Sequence, residues 1–146
     1  MRDLHNSIRV LKAIPPQAVG TTGVANGSLS DVIDRKGYDS VEFIFNHGSG
    51  GASVADVTSV ILYESDSATA ASFTSVADAD LLGTEAAVGC PAENPRTSGV
   101  GKNKTAKLGY KGAKRYLRAR VYAVGTATSV ISAQAVLSHP SRQPTA

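Results

Sequence analysis

Short segments in which apolar residues alternate with polar ones recur along the whole chain, separated by turns that contain glycine or proline. The clearest is SVEFIFNHG at residues 40–48, where Val41, Phe43 and Phe45 point to one side of an extended chain. No long segment carries the apolar period of an α-helix. About seven or eight such segments predict an all-β fold, either a single-domain antiparallel β-sandwich or a barrel.

The composition fits one thin β domain. The chain has 146 residues, of which 42% are hydrophobic but only 5% aromatic, and it contains 14 glycines. Small and β-branched residues suit turn-rich β layers better than a helix bundle. We therefore expect one domain over residues 1–146, with an extended arm over residues 1–7, a long loop over residues 83–107 and a tail over residues 139–146.

Apolar runs and cysteine usage bear on where the protein resides. No apolar run approaches the roughly 20 residues that span a bilayer, and the N-terminal MRDLHNSIRVLKAIPP lacks the apolar core of a signal peptide. We expect a protein that is made and kept in the cytoplasm, or in an assembly formed there, without a membrane partner. The single cysteine, Cys90, has no internal disulfide partner and no positioned base, so we interpret it as incidental.

Two glycine-rich motifs resemble parts of catalytic sites but lack residues that those sites need. In SGVGKNKT, residues 98–105, Arg96 precedes the motif where a P-loop has its first glycine, and Asn103 replaces the required Ser or Thr. NHGSGGAS, residues 46–53, resembles an oxyanion-hole turn, but no nucleophile elbow accompanies it. The histidines lack the spacing of metal ligands: His5, His47 and His139. The sequence therefore predicts no enzyme and no catalytic, cofactor or metal site.

The charges are divided between two parts of the chain. Residues 1–93 contain five Lys/Arg and twelve Asp/Glu, a sum of −7, whereas residues 94–146 contain ten Lys/Arg and no acid, a sum of +10. Such asymmetry is typical of a protein with an oriented partner or of self-association. Within one sandwich the two parts can equally well interleave and neutralise each other, and the sequence leaves both interpretations open.

The most basic segment is KGAKRYLRARVYAV, residues 111–124. At a period of two its apolar residues form one stripe, and its tyrosines and arginines form the other side. Tyr and Arg are enriched in protein interfaces, and an RNA-binding sheet also combines aromatic rings with arginine. Because neither supporting helices nor a stacking-aromatic motif is visible, we favour a protein interface. The candidate interface residues are Arg2, Arg9, Lys111, Lys114, Arg115, Tyr116, Arg118, Arg120 and Tyr122.

Four runs together resemble one family, the small cement, or decoration, proteins of tailed-bacteriophage capsids. They occur in the family's order and span residues 37–144. The runs are GYDSVEFIFNHG (37–48), ILYESDS (61–67), LGYKGAKRYLRARVYAVGTAT (108–128) and ISAQAVLSHPSRQP (131–144). The loop at residues 83–107 is longer and more basic than the family pattern.

The resemblance implies a β-sandwich of jelly-roll type on the exterior of an icosahedral virion, without enzymatic activity or cofactors. It implies that the major capsid protein is the partner and that the chain cements neighbouring capsid subunits. We further expect a homodimer at a capsid two-fold axis, because cyclic pairs are the commonest closed symmetry. Two alternatives remain: a head-tail connector or tail component, and a basic nucleic-acid-binding β domain.

Overall fold

The structure, a computed structural model, describes residues 4–19, 27–50, 57–89, 103–124 and 129–141. These residues form ten β-strands, one short α-helix and single turns of 3₁₀ helix. The elements are β1 (Ile8–Val19), β2 (Ser28–Leu29), β3 (Ile33–Asp34), β4 (Tyr38–Gly50), β5 (Val57–Ser65), β6 (Thr74–Ser75), β7 (Leu81–Leu82), α1 (Glu85–Val88), β8 (Lys104–Tyr110), β9 (Tyr116–Val124) and β10 (Ser129–Pro140). The prediction of an all-β chain is confirmed.

The strands form two antiparallel sheets. Sheet A has the order β1-β10-β4-β8-β7, and sheet B has the order β2-β9-β5-β6, with β3 also pairing with β9. The pairs are nested along the chain: β1 pairs with β10, β2 with β9, β4 with β8 and β5 with β6. This is the order of a long hairpin rolled up into two layers, which is a jelly roll.

The core lies between the two sheets and is built from alternate residues of the long strands. Leu117, Ala119 and Val121 of β9 are fully buried, as the period-two pattern predicted. From sheet A, Phe43 and Phe45 of β4 fill the opposite side, with ring centroids 6.2 Å apart. Most other core residues are Ala, Val, Ile or Leu, which explains how a chain with few aromatic residues closes a thin sandwich.

The structure differs from the predicted boundaries of the long loop. Instead of an irregular segment throughout residues 83–107, α1 begins after Thr84, whose Oγ1 accepts a hydrogen bond from Ala87 N at 3.1 Å. This N-cap stabilises a helical turn. The sequence prediction missed it because that prediction depended on the glycine and proline content of the segment. At the other end, Lys104 is already paired with His47 in the sheet. Residues 90–102 lie outside the described residues.

The arm and the tail are also shorter than predicted where the structure describes them. His5–Ser7 form a turn of 3₁₀ helix rather than an extended segment, and residues 1–3 lie outside the described ranges. Pro140 still pairs with Tyr38 because β10 continues beyond the predicted start of the tail at His139. Residues 142–146 are not among those described. Within the described ranges, no helix has the length and apolar character needed to cross a bilayer.

Adjacent residues of β10 provide a matched test of this packing. Ala135 is fully buried, whereas Gln134 is exposed on the outer face of sheet A. Ala135→Asp should destabilise the fold by about 3 kcal/mol or more, because an unpaired carboxylate enters the apolar layer. Gln134→Asp should cost less than about 1 kcal/mol. Urea denaturation of both variants measures the difference, and equal losses would contradict the assigned register.

Candidate partner-binding face

One surface of the sandwich combines arginine and aromatic side chains from both parts of the chain. The antiparallel pairing of β5 with β9 sets Tyr63 opposite Arg118, so the two residues share the outer face of sheet B. We call this surface the basic-aromatic face. Its residues are half-buried and comprise Tyr116, Arg118, Arg120 and Tyr122 of β9, Tyr63 of β5, and Phe73 directly before β6.

Each arginine of this face lies over an aromatic ring. The Arg118 guanidinium carbon is 5.6 Å from the Phe73 ring centroid, and that of Arg120 is 5.9 Å from the Tyr63 centroid. At the end of β9, Arg115 lies 4.8 Å from the Tyr116 centroid. Cation–π contact holds the flat guanidinium groups against the sheet and limits their rotamers.

Arg118 is fixed by a second contact as well. Its Nε and Nη2 both donate to the carbonyl oxygen of Ser30, each at 3.2 Å. Ser30 is buried, and its own hydroxyl accepts a hydrogen bond from Ala119 N at 2.9 Å. The guanidinium of Arg118 therefore also ties the connection between β2 and β3 to the middle of β9.

Part of the basic segment is neutralised within the molecule. Lys114 Nζ donates to the carboxylate of Asp66, and Arg115 Nη2 lies 2.6 Å from Asp34 Oδ2. Hydrogen bonding to Arg115 holds the pKa of Asp34 below its usual value. The basic and acidic parts of the chain thus interleave at this end of the sandwich, which was one of the two open interpretations of the charge asymmetry.

The outer residues of β5 and β9 contribute positive but not negative side chains to the basic-aromatic face, among the residues that the structure describes. None of the outward-facing residues that the structure describes on β5 and β9 is acidic; on β5 they are Ser59, Ile61, Tyr63 and Ser65. Arg118 and Arg120 therefore present two like charges on one side of the sheet. A surface of this kind attracts carboxylate or phosphate groups and repels another copy of itself.

A buried tyrosine supports the segment that leads into β9. The Tyr110 hydroxyl donates to Glu64 Oε2 at 2.5 Å and accepts from Lys114 N at 2.9 Å. Burial is the larger of two causes that raise the pKa of Tyr110 far above its usual value, and the hydrogen bond to Glu64 is the other. A side chain at Gly112 would not fit here, since a Cβ would lie 2.5 Å from the Tyr110 hydroxyl oxygen.

Arg35 holds the same segment from the other side. Its Nε donates to the Lys114 carbonyl at 2.7 Å and its Nη2 to the Gly112 carbonyl at 2.9 Å. Its guanidinium carbon is 5.4 Å from the Tyr110 ring centroid. Sequence reasoning missed Arg35 and Tyr110, because their partners lie on other strands and no local pattern marks them.

The remaining candidate interface residues do not join this face. Arg9 is exposed on β1, in the other sheet, and Lys111 is exposed in the connection between β8 and β9. Arg2 lies outside the described residues. The basic residues singled out in the sequence therefore do not form one continuous patch in the part of the chain that is described.

The motifs that resembled catalytic sites are placed differently by the fold. Lys104 lies in β8 and donates to the carbonyls of Ala87 and Gly89 at 2.6 and 2.9 Å, so it supports α1. Asn46 lies within β4, and its Oδ1 accepts from Thr105 Oγ1 at 2.9 Å. Among the described residues, no group of three or more His, Cys, Asp or Glu side chains is arranged to hold a metal ion.

Comparison with known proteins gives no family. No family model matches the chain, and no curated protein matches it. Among solved structures it is similar to Clostridium thermocellum xylanase 10B CBM22-1-GH10 modules, at 9% identity and a TM-score of 0.39, over 97% of this chain but only 28% of that one.

Two further likenesses are of the same order. The K1 cleaved adhesin domain of Lys-gingipain from Porphyromonas gingivalis has 9% identity and a TM-score of 0.40, over 90% of both chains. A structure of infectious bursal disease virus, Gx strain, has 14% identity and a TM-score of 0.39, over 94% of this chain and 33% of that chain. Likenesses this distant decide nothing about this chain, and its fold assignment depends on its own strand order.

Tyr110→Phe tests the support beneath the face. The change leaves Lys114 N and Glu64 without the hydroxyl, and it should destabilise the fold by about 1–3 kcal/mol. Tyr122→Phe, which removes a hydroxyl from the outer face, should cost less than about 0.5 kcal/mol. Chemical denaturation at neutral pH measures both free energies of unfolding. Equal values for the two variants would contradict a structural role for the buried hydroxyl.

The raised pKa of Tyr110 predicts a pH dependence of the free energy of unfolding that Tyr110→Phe should lack. Because the folded state raises the pKa of Tyr110, its stabilising contribution is complete below the ordinary tyrosine pKa of 10.0 and is lost as pH rises above it. Wild-type protein should therefore lose more unfolding free energy above pH 10 than Tyr110→Phe does. Parallel slopes for the two proteins would contradict the assignment.

Proposed function

We propose that this chain is a non-enzymatic structural protein of a tailed-bacteriophage virion. It binds the outside of the icosahedral head and cements neighbouring subunits of the major capsid protein. Support comes from the ordered runs at residues 37–144 and from a jelly-roll fold of the type that the resemblance implied. The observation that carries the proposal is the basic-aromatic face, a half-buried surface that has the composition of a protein interface.

The chemistry of this face favours a partner with carboxylate groups. A guanidinium stacked on a ring still directs N–H donors outward, where they match the two oxygens of an Asp or Glu side chain. Phe73 and Ser30 already hold the side chain of Arg118 in place. Binding a partner therefore costs little further side-chain entropy. The major capsid protein therefore contributes acidic side chains to the contact.

The arrangement argues against single-stranded nucleic acid as the partner. Sequence-tolerant binding of single strands depends on bases that stack on exposed aromatic rings. Here guanidinium groups lie over the rings of Phe73, Tyr63 and Tyr116 and occupy the position that a base would need. A connector or tail component would use the same face on a different partner. Binding to isolated heads therefore distinguishes a head protein from a tail component.

Arginine substitutions on this face test the proposal. Arg120→Ala and Arg118→Ala should each weaken binding to heads that lack the protein by about 2–5 kcal/mol, since each leaves an acidic partner unpaired. Lys107→Ala is the control, because Lys107 is exposed on the outer face of sheet A. Co-sedimentation of the purified variants with heads gives the affinities.

Two results would overturn this assignment. One is that neither Arg118→Ala nor Arg120→Ala changes binding to heads, while the thermal stability of both variants matches that of the wild type. The other is tight binding to DNA or RNA that falls steeply with salt concentration and that both arginine changes abolish. Stability is measured alongside binding because Arg118 also contacts Ser30.

A further inference from the structure

A groove lies between α1 and the outer face of sheet B, and its volume is about 400 Å³. The helix lies close against β5, since a Cβ at Gly89 would be 2.5 Å from the Thr58 carbonyl oxygen. The residues that line the groove include Ser59, Val60, Ile61, Glu85, Ala86 and Tyr122. The groove therefore adjoins the basic-aromatic face, with which it shares Tyr122.

Glu85 brings a carboxylate to this groove. Its Oε1 accepts a hydrogen bond from Leu62 N at 2.7 Å, which holds the side chain against β5. In the part of the chain that the structure describes, Glu85 forms no ion pair. Burial raises the pKa of Glu85, the hydrogen bond from Leu62 N lowers it, and the charge of Asp78 raises it further. A half-buried carboxylate in this setting is stabilised by a cation that binds beside it.

The backbone of Val60 contributes one donor and one acceptor to the groove. Ala119 N donates to Ser30 Oγ and Ala119 O accepts from Ser30 N, so both groups point away from β5. Ala119 and Leu62 are thus a non-hydrogen-bonded pair, and so are Val121 and Val60 two residues along. The N–H and C=O of Val60 therefore point away from β9 toward α1, whereas its side chain is buried in the core. Within the described ranges neither group has a hydrogen-bond partner.

The chemistry of the groove selects a primary ammonium group. Glu85 supplies negative charge, and Tyr122 adds an aromatic ring, which attracts cations. Because Leu62 N already occupies Glu85 Oε1, the bidentate contact that a guanidinium favours is not available. An ammonium group is a compact charge and needs only the other oxygen. Ile61 and Ala86 offer apolar surface to the methylene groups of a lysine stem.

We propose that this groove binds a lysine side chain of a partner protein. The ammonium group contacts Glu85, and a peptide group next to the lysine pairs with the N–H and C=O of Val60. The choice of a protein as the source rests on the proposed function, because a partner that covers the basic-aromatic face also reaches Tyr122 and the groove beside it. An acidic and a basic contact side by side on sheet B fix the orientation of that partner.

A capped lysine tests the proposal in solution. Nα-acetyl-lysine N-methylamide carries the side chain and both neighbouring peptide groups, and it should bind with a Kd on the order of 1 mM. In an NMR titration of the full chain, the amide resonances of Val60 and Ala86 should shift. The norleucine compound with the same caps lacks only the ammonium group and should leave both resonances unchanged. Equal shifts from the two compounds, or none from the lysine compound, would overturn the proposal.

Glu85→Gln tests whether the charge of the carboxylate is responsible. The glutamine side chain still offers an oxygen to Leu62 N, so the fold should be kept, and thermal unfolding checks this. Affinity for the capped lysine should fall about fivefold or more, because a charge-assisted hydrogen bond becomes a neutral one. Glu42→Gln is the matched control, since Glu42 is also half-buried but lies on the outer face of sheet A. Unchanged affinity in folded Glu85→Gln contradicts the assignment.

Two further measurements cover the ring and the peptide group. Tyr122→Leu removes the ring from the groove and should weaken binding of the capped lysine about threefold, which provides a test even if Glu85→Gln lowers the Tm. Butylammonium has the charge but no peptide group, so it should bind about fivefold more weakly or worse, because it cannot pair with Val60. Butylammonium that binds as tightly as the capped lysine would rule out a protein lysine as the ligand. Full affinity in Tyr122→Leu would contradict the role of the ring.

These readouts separate this inference from the proposed function. Binding of the capped lysine is measured without heads. If the compound binds in the groove but the wild-type protein does not bind heads, the proposed function fails and the groove assignment remains. If the protein binds heads but the compound shifts neither amide resonance, the groove assignment fails and the proposed function remains.

Discussion

The hydroxyl group of Tyr110 links the two sheets and the basic segment through two hydrogen bonds. It belongs to β8 of sheet A, donates to Glu64 on β5 of sheet B, and accepts from the backbone of Lys114 just before β9. A buried hydroxyl with both roles filled costs little to bury, whereas the same group with one partner missing would be destabilising. With Arg35 it fixes where β9 begins, and β9 carries the arginines of the basic-aromatic face.

The charge asymmetry of the sequence has two structural outcomes rather than one. At the start of β9, Lys114 and Arg115 meet acids from the first part of the chain, Asp66 and Asp34. These pairs are half-exposed, so each contributes little to stability, and their main effect is to remove charge from that end. Farther along β9 the outward-facing residues that the structure describes on β5 are not acidic, so β5 supplies no carboxylate to Arg118 and Arg120 on this face.

Local pattern was enough to predict the fold class and the two sides of β9. The period-two alternation of Leu117, Ala119 and Val121 is a property of one strand, and it requires no knowledge of neighbours. The ring partners of the arginines, Phe73 and Tyr63, could not be predicted, because they depend on the register of β5 with β9 and on the path of the chain before β6. The short α1 was missed for a similar reason, since a four-residue helix has no periodicity and is marked only by its threonine cap.

The stacking of the arginines has consequences for both strength and selectivity. An exposed arginine normally loses much side-chain freedom when it binds, and that loss opposes association. On this face the loss occurs at folding, because Arg118 is held between the Phe73 ring and the Ser30 carbonyl before any partner arrives. The same contacts cover the aromatic rings, so the surface offers directed donors but little bare ring for an unrelated apolar partner. In the proposed attachment to capsid protein, a face built in this way would discriminate by the placement of carboxylates on its partner.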